Sequence, residues 1–250
     1  MIDGLVTSAA RLLPLDGVTD SGVFWRLGEW RAAEGDAVDE RAPGGRATGP
    51  DELERRGRVG RRWVRELVTT RLGLEWRGFA PVSPGGKPRL LDGSGADASI
   101  SHSDGALLVG VAASGLVGVD IEEEPFEAFV RPPLLRRMCS VQELAAVDGL
   151  AEPIRRRALA RAWTVKEASL KALGCGLARD PRDIAVDLDA LAALGLRQGP
   201  EWTIVHVTAG ATLVRHPWTR KVVAGGSPVE QDTTKPPPGG GGFHGRGDRI

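Results

Sequence analysis

The chain has 250 residues, which is enough for one large domain or two small ones with a buried core. Its 33 basic and 33 acidic residues cancel, so net charge gives no support for a polyanionic partner, and we predict that it binds no nucleic acid. Two cysteines, Cys139 and Cys175, exclude a disulfide framework and a CxxC metal site. With no signal peptide pattern and no apolar run of roughly 20 residues, we predict a cytoplasmic protein without membrane contact.

The first third of the chain predicts a strand, a loop and a long helix. Val23 to Trp25 is typical of a short strand, whereas 31–49 is rich in Gly, Ala and charge and reads as a loop. Asp51 followed by Glu54 suggests an N-cap with a capping box. The helix that follows should end near Gly73. It has apolar residues at helical intervals: Val59, Trp63, Val64, Leu67 and Val68. Seven arginines against four acids give 51–71 a charge of +3.

The middle of the chain predicts a hairpin and a further strand. Residues 85–88 are typical of a turn. A strand from Ala98 should run into the segment SHSDG at 101–105 and return through ALLVGVA at 106–112. After Gly115, a third strand from Leu116 to Ile121 leads into three consecutive glutamates, at 122–124.

Helices and then strands are predicted for the last part. Pro132 or Pro133 can begin one helix, and Ser140 with Glu143 suggests a capping box for the next. A long helix should cover 153–173, with Gly174 as its C-cap. Short strands are predicted at 184–188, 202–207 and 220–224, and a disordered Pro/Gly-rich tail at 226–250. This mixture of elements favours an α+β fold.

Two short segments carry the chemistry. Asp120 and Glu122 stand two apart at the end of a predicted strand, which points both side chains to the same side. Glu167 and Lys171 stand four apart on one helix face. Three carboxylates and a lysine that converge are suited to Mg²⁺ and a polyphosphate, because hard oxygen ligands hold the ion and the ammonium neutralises phosphate charge. The pattern therefore predicts phosphoryl-type transfer.

Four motifs in this order resemble those of a known family. GVDIE at 118–122 and WTVKEASLKALGCGL at 163–177 are similar to the paired signature of the 4′-phosphopantetheinyl transferases. ISHSDG at 100–105 and GGKP at 85–88 resemble two further motifs of the long, monomeric Sfp-type subfamily. The resemblance covers roughly residues 20–225. The small trimeric acyl-carrier-protein synthases share the first two motifs but are about half this length.

The resemblance implies a reaction and an architecture. The enzyme would move the phosphopantetheine arm of coenzyme A to a serine of an acyl or peptidyl carrier protein, release 3′,5′-ADP and act as a monomer. Two similar α/β subdomains would be related by a pseudo-two-fold, with coenzyme A in the cleft between them. Residues 1–114 would form the first subdomain, 115–225 the second and 226–250 the tail, with the boundary near Ser114.

The resemblance also implies roles for single residues. Asp120, Glu122 and Glu167 would hold Mg²⁺, and Glu167 is the better candidate for deprotonating the carrier serine. Lys171 would neutralise charge on the transferred phosphate or the leaving group. The remaining coenzyme A contacts implied are Arg62, Lys87, Ser101, His102 and Lys166. Glu123 and Glu124 extend the acidic cluster, so the identity of the glutamate that binds metal beside Asp120 is open, although spacing favours Glu122.

Less specific interpretations exist for each feature. The acidic segment could be a solvated turn, Glu167 with Lys171 an ordinary surface pair, and His102 a backbone cap, while Trp163 is predicted to pack in the core. Other functions considered are nucleic-acid binding by the Arg-rich helix, a non-catalytic coenzyme A binder, and a different Mg²⁺-dependent phosphoryl transferase. The carrier could dock near 125–145 on an apolar and basic patch. Its residues would be Phe126, Phe129, Arg131, Leu134, Leu135, Arg136, Arg137 and Met138.

Overall fold

Two antiparallel sheets, each packed against one long helix, make up most of the described part of the chain. A computed structural model describes residues 14–33, 50–80, 87–91, 93–186, 203–208 and 211–216. The first sheet has the strand order β1-β2-β6-β5, and a small pair is formed by β3 and β4. These six strands are β1 Leu15–Val18, β2 Val23–Glu29, β3 Phe79–Ala80, β4 Arg89–Leu90, β5 Asp97–His102 and β6 Ala106–Ala112.

The Arg-rich helix packs on the first sheet through its predicted apolar face. A short helix, α1 (Trp30–Ala33), precedes α2 (Pro50–Thr70). The five apolar residues predicted for α2 are all buried, against side chains of β5 and β6: Val59, Trp63, Val64, Leu67 and Val68. The predicted N-cap at Asp51 is wrong, because the helix already includes Pro50, whose fixed φ suits a first turn. The helix ends at Thr70, three residues before the predicted Gly73.

A second, three-stranded sheet packs on the long C-terminal helix. Its order is β7-β9-β8, with β7 at Leu116–Ile121, β8 at Thr203–Thr208 and β9 at Ala211–His216. The helices of this part are α3 Pro132–Met138, α4 Val141–Ala146 and α5 Glu152–Leu173. The predicted capping box of Ser140 and Glu143 is present, and Gly174 caps α5 with a left-handed φ of 71°.

Of the three strands predicted for the last part of the chain, one is confirmed within the described residues. The strand expected at 202–207 corresponds to β8, but a 3₁₀ turn at Pro181–Asp183 leads into non-strand residues up to 186. The strand expected at 184–188 is therefore wrong over its described residues, and the one at 220–224 lies outside them. Sequence analysis also missed β9. Its signal was the two-residue connection between two apolar runs, since Thr208 pairs with Ala211 across the hairpin.

Side chains of β5 join the two sheets by bonding to β7. Asp97 and Ser99 point the same way along β5 and accept hydrogen bonds from the backbone N–H groups of Val117 (2.7 Å) and Val119 (3.1 Å). On its other side β7 approaches α5 so closely that a Cβ on Gly118 would lie 1.7 Å from the carbonyl oxygen of Ala168. Strand β7 is therefore held between β5 and α5.

All described residues belong to one compact unit, Met1–Arg220, and the second unit, Lys221–Ile250, lies outside the described residues together with the predicted tail. The mixture of helices and antiparallel sheets confirms the α+β class. The turn at 113–115, which contains Ser114, joins β6 to β7 where the subdomain boundary is predicted. The division into two subdomains and their pseudo-two-fold stay predictions. Across the described ranges, no helix has the length and apolar character needed to cross a membrane.

Candidate active site

Asp120 stands at the centre of a polar cluster where β5, β7 and α5 meet. It is the next-to-last residue of β7 and is 5% exposed. Its Oδ1 atom accepts hydrogen bonds from the Ser101 hydroxyl (2.8 Å) and the Lys171 ammonium (2.5 Å). Its Oδ2 atom is buried and has no hydrogen-bond partner among the described residues. One oxygen of this carboxylate is thus saturated, while the other is available to a further cation.

Lys171 connects the three elements of the cluster. It lies in the last turn of α5, and its Nζ atom also donates to the Ser101 hydroxyl at 2.8 Å. Glu167, one turn earlier, places its Oε2 atom 4.0 Å from the same ammonium. The predicted pairing of Glu167 and Lys171 on one helix face is confirmed, and both face the buried carboxylate rather than bulk solvent.

Glu122 follows β7 directly and has an unusual protonation equilibrium. Burial, and next the negative charge of Asp120, raise the pKa of Glu122 to about 7. The Lys171 charge and a hydrogen bond from the Trp163 side chain oppose this rise in pKa. Trp163 therefore contacts a carboxylate of the site, beyond the packing role predicted for it.

The two neighbouring glutamates have other partners, which favours Glu122 as the glutamate that acts with Asp120. Glu123 accepts a hydrogen bond from the backbone N–H of Gly105 at 3.0 Å. Glu124 accepts one from Arg157 at 3.0 Å. Both contacts lead away from the Asp120 carboxylate.

Glu167 is the third carboxylate of the cluster. Burial raises the pKa of Glu167, the Asp120 charge adds to that rise, and the positive charges of Lys171 and Arg137 oppose it. A carboxyl group with a raised pKa accepts a proton more readily near neutral pH than an exposed glutamate does. Its position suits a general base.

The oxygen atoms of the cluster are of the kind that a divalent cation binds. In the parts of the chain that the structure describes, no three Asp, Glu, His or Cys side chains are already gathered around one metal position. The unpartnered Oδ2 atom of Asp120 and the rise that the Asp120 charge causes in the pKa values of Glu122 and Glu167 nevertheless fit a hard cation such as Mg²⁺. The Lys171 ammonium contributes the positive charge that is present at Asp120.

Ser101 and His102 close β5 beside the cluster, as predicted. The Ser101 hydroxyl bonds to Asp120 and Lys171, so in this structure it orients the site rather than facing a ligand. His102 is the last residue of β5. Burial of its ring, followed by the positive charges of Arg56 and Lys171, lowers the pKa of His102.

Arg56 is a site residue that sequence analysis counted in the Arg-rich helix but did not single out. Its guanidinium lies 5.2 Å from the centre of the Trp30 ring and pairs with Glu52, one turn earlier on α2. It also donates to the carbonyl of Ser103 at 3.4 Å. The i,i+4 spacing of Glu52 and Arg56 was visible in the sequence, but the proximity to His102 depends on how α2 packs.

Two of the predicted coenzyme A contacts, Lys166 and Lys87, have partners within the protein, so their contact with coenzyme A stays a prediction. Lys166 is fully buried and donates to Glu143 and to the Met138 carbonyl, both at 2.8 Å. Lys87 pairs with Asp97 and donates to the carbonyl of Val117 at 2.6 Å, within the junction of the two sheets. Each of the two lysines joins a carboxylate and a backbone carbonyl within the fold.

Arg62 is exposed on α2 and lies 3.6 Å from Glu66, and its contact with coenzyme A stays a prediction.

The docking patch expected near 125–145 is wrong for most of its apolar residues. Phe126, Phe129, Leu135 and Met138 are buried in the core beneath α5. The exposed residues of this region include Val130, Arg131, Arg136, Arg137 and Val141. Apolar spacing alone could not separate a core face from a binding face, because both have the same composition.

Comparison with known proteins finds a family that the C-terminal half of the chain resembles. Residues 116–221 match the model of the 4′-phosphopantetheinyl transferase superfamily. That range begins at β7 and includes Asp120, Glu122, Glu167 and Lys171. The chain is similar to this superfamily over that range, and the family match together with a named relative supports a 4′-phosphopantetheinyl transferase.

Two relatives agree with this assignment. The chain is 28% identical over 165 residues to the 4′-phosphopantetheinyl transferase HetI of Nostoc sp., a match that covers 62% of this chain and 67% of HetI. It is 32% identical over 97 residues to slr0495 of Synechocystis sp., named as a candidate 4′-phosphopantetheinyl transferase. That match covers 38% of this chain and 39% of the relative. The Sfp-type subgroup stays a prediction.

Proposed function

We propose that this protein transfers the 4′-phosphopantetheine moiety of coenzyme A to a serine hydroxyl of an acyl or peptidyl carrier protein, with Mg²⁺ as cofactor. The serine oxygen forms a bond to the phosphorus that bears pantetheine. The bond from that phosphorus to the bridging oxygen of the pyrophosphate breaks, and 3′,5′-ADP leaves with the electron pair. The observation that carries the proposal is the buried contact of Asp120 with Lys171, next to Glu167, inside the region that matches the family model.

Glu167 would act on the attacking serine, and Lys171 on the phosphate or the leaving group. Glu167 accepts the proton of the carrier serine, for which its raised pKa is favourable. Lys171 neutralises negative charge on the transferred phosphate or on the leaving group. Both side chains lie on α5, so their separation is set by one turn of helix rather than by a loop.

Asp120, Glu122 and Glu167 would hold Mg²⁺, which would supply positive charge at the pyrophosphate. The unpartnered Oδ2 atom of Asp120 supports this assignment.

Coenzyme A would bind where the sheet containing β5 meets the sheet containing β7. His102 and Arg56 provide positive or hydrogen-bonding groups on one side of this junction, and Arg62 is proposed for the 3′-phosphate. The position of the cluster between the two sheets supports a cleft between two subdomains. We propose in addition that the enzyme is a cytoplasmic monomer.

The test is the intact mass of apo carrier proteins incubated with the protein, coenzyme A and Mg²⁺. We expect a gain equal to the phosphopantetheine arm, prevented by EDTA and absent from a carrier whose acceptor serine is replaced by alanine. The Asp120→Asn variant should lose at least about a hundredfold in rate, because a neutral amide gives up charge at the transition state. Unchanged transfer by Asp120→Asn, or no transfer to any fatty-acid, polyketide or peptide carrier, would overturn the proposal.

A further inference from the structure

We infer that Lys171 is an internal cation of this site: its ammonium pairs with the Asp120 carboxylate until a phosphate of coenzyme A offers it another partner, so that coenzyme A strengthens metal binding. The inference rests on the proposed function, and it adds an order to the binding events. Without metal and coenzyme A, Asp120 and Lys171 would then be paired with each other, and the Asp120 carboxylate would not be free to bind a metal.

The first support is the set of contacts around the ammonium. Lys171 Nζ lies 2.5 Å from Asp120 Oδ1, 2.8 Å from Ser101 Oγ and 4.0 Å from Glu167 Oε2. The ammonium donates two hydrogen bonds, to Asp120 and Ser101, and lies at ion-pair distance from Glu167, and all three oxygen atoms belong to the cluster that is expected to bind Mg²⁺. A divalent ion at the unpartnered Asp120 Oδ2 would share one carboxylate with the ammonium, so the two positive charges would repel each other and compete for the same negative charge.

The second support is the asymmetry of the Asp120 carboxylate. Oδ1 has two donors, whereas the buried Oδ2 has none among the residues that the structure describes. A carboxylate that served only a structural ion pair would normally have both buried oxygens satisfied. The unsatisfied oxygen indicates that this pair is one of two arrangements, and that the second one brings another positive charge.

The third support is the freedom of Lys171 to move. Its side chain is 28% exposed, whereas the Asp120 side chain is 7% exposed. Asp120 is fixed in β7 between β5 and α5, so the lysine is the partner that can leave. A lysine side chain has a flexible four-carbon stem that can carry its charge to a nearby phosphate without any movement of the helix.

The exchange has a thermodynamic consequence. Coenzyme A has several phosphate charges, which offer the ammonium a new partner and free Asp120 for the metal. Binding of each ligand then favours the other, and the coupling must be equal in both directions. Removal of the lysine charge should strengthen metal binding in the absence of coenzyme A and reduce the coupling.

The experiment measures Mn²⁺ binding to the full chain by the electron paramagnetic resonance signal of the free ion, with and without coenzyme A. In Lys171→Met we expect Mn²⁺ alone to bind at least tenfold more tightly than in the wild type. Lys171→Arg retains the charge and should bind as weakly as the wild type. Arg182→Gln removes a positive charge from an exposed side chain outside the cluster and is the matched control, with an unchanged affinity expected. Coenzyme A should tighten Mn²⁺ binding by a larger factor in the wild type than in Lys171→Met.

An equal or weaker Mn²⁺ affinity of a folded Lys171→Met variant would overturn the inference. If that variant does not fold, Lys171→Gln takes its place, because an amide can still donate to Ser101 and Asp120 without a charge. A wild type that modifies carriers while Lys171→Met shows no tightening refutes the internal cation and leaves the proposed function standing. A wild type that neither binds coenzyme A nor modifies any carrier refutes the proposed function, whatever the Mn²⁺ affinities are.

Discussion

At the scale of single residues, the site places charges where solvent cannot easily stabilise them. Glu122 shows the cost most clearly, since burial and the neighbouring Asp120 raise the pKa of Glu122 from 4.5 to about 7. In the metal-free protein, the ionised form of Glu122 lowers the free energy of unfolding. Such groups are typical of functional sites, because a ligand with the opposite charge can reverse the penalty.

This shift predicts a pH dependence of stability in EDTA. Between pH 4.5 and 7 the folded chain retains a proton on Glu122 that the unfolded chain has released, so this residue lowers the free energy of unfolding as pH rises through that interval. Glu122→Gln retains an acceptor for Trp163 and has no charge. Chemical denaturation at a series of pH values measures the free energy of unfolding of both proteins. The difference between Glu122→Gln and the wild type should shift in favour of the variant by up to about 3 kcal/mol between pH 4.5 and 8. Curves that stay parallel would contradict the assigned environment of Glu122.

At the scale of elements, the position of Asp120 depends on the contact between β7 and α5. Gly118 allows the strand backbone to touch the helix backbone at Ala168, and Asp120 follows two residues later on the same strand. The geometry of the site therefore depends on a residue that has no side chain to contribute.

We expect Gly118→Ala to lower the free energy of unfolding by about 3 kcal/mol or more and to reduce transfer activity, because the added methyl group would displace backbone. The matched control is Gly57→Ala inside α2, where the new Cβ meets only the flexible end of Arg61 at 3.3 Å. That variant should gain about 0.5–1 kcal/mol from helix propensity and leave activity unchanged. Thermal and chemical unfolding measure both, and an equal effect of the two substitutions would contradict the close contact.

At the scale of the whole described molecule, the two sheets are joined by buried polar side chains. Asp97 accepts hydrogen bonds from Lys87 and from the backbone of Val117, and Lys87 also donates to the carbonyl of Val117. These contacts hold β5 and β7 side by side, and the polar cluster around Asp120 begins a few residues further along the same two strands.

This arrangement predicts that Lys87 acts on stability. Lys87→Met should lower the free energy of unfolding by about 3–5 kcal/mol, because Asp97 would keep a buried charge without its cation. The double variant Lys87→Met/Asp97→Asn, in which no unpaired charge remains, should cost less than Lys87→Met alone. Urea denaturation measures the cycle, and coenzyme A titration is the second readout. A Lys87→Met protein of normal stability with weakened coenzyme A binding would restore the role that the sequence motif implied.

Much of the fold was predictable from local pattern. The apolar spacing of α2, the capping box at Ser140, the C-cap at Gly174 and the hairpin of β5 and β6 all follow from interactions within a few residues, and all are present. The strand β9 and the turn at 181–183 were missed, because short apolar runs do not distinguish strand from coil without knowledge of their pairing partners.

The sequence by itself predicted the family that the chain resembles and the side chains that we propose for its chemistry. Asp120, Glu122, Glu167 and Lys171 occur in motifs whose residue types and spacing suit a metal and a polyphosphate. Tertiary structure alone decided which partners the lysines have: Lys171 lies in the cluster, whereas Lys166 and Lys87 are buried and pair with carboxylates elsewhere in the fold. The physical reason is that motif spacing specifies residue types along one element, while exposure and partners depend on which other elements pack against it.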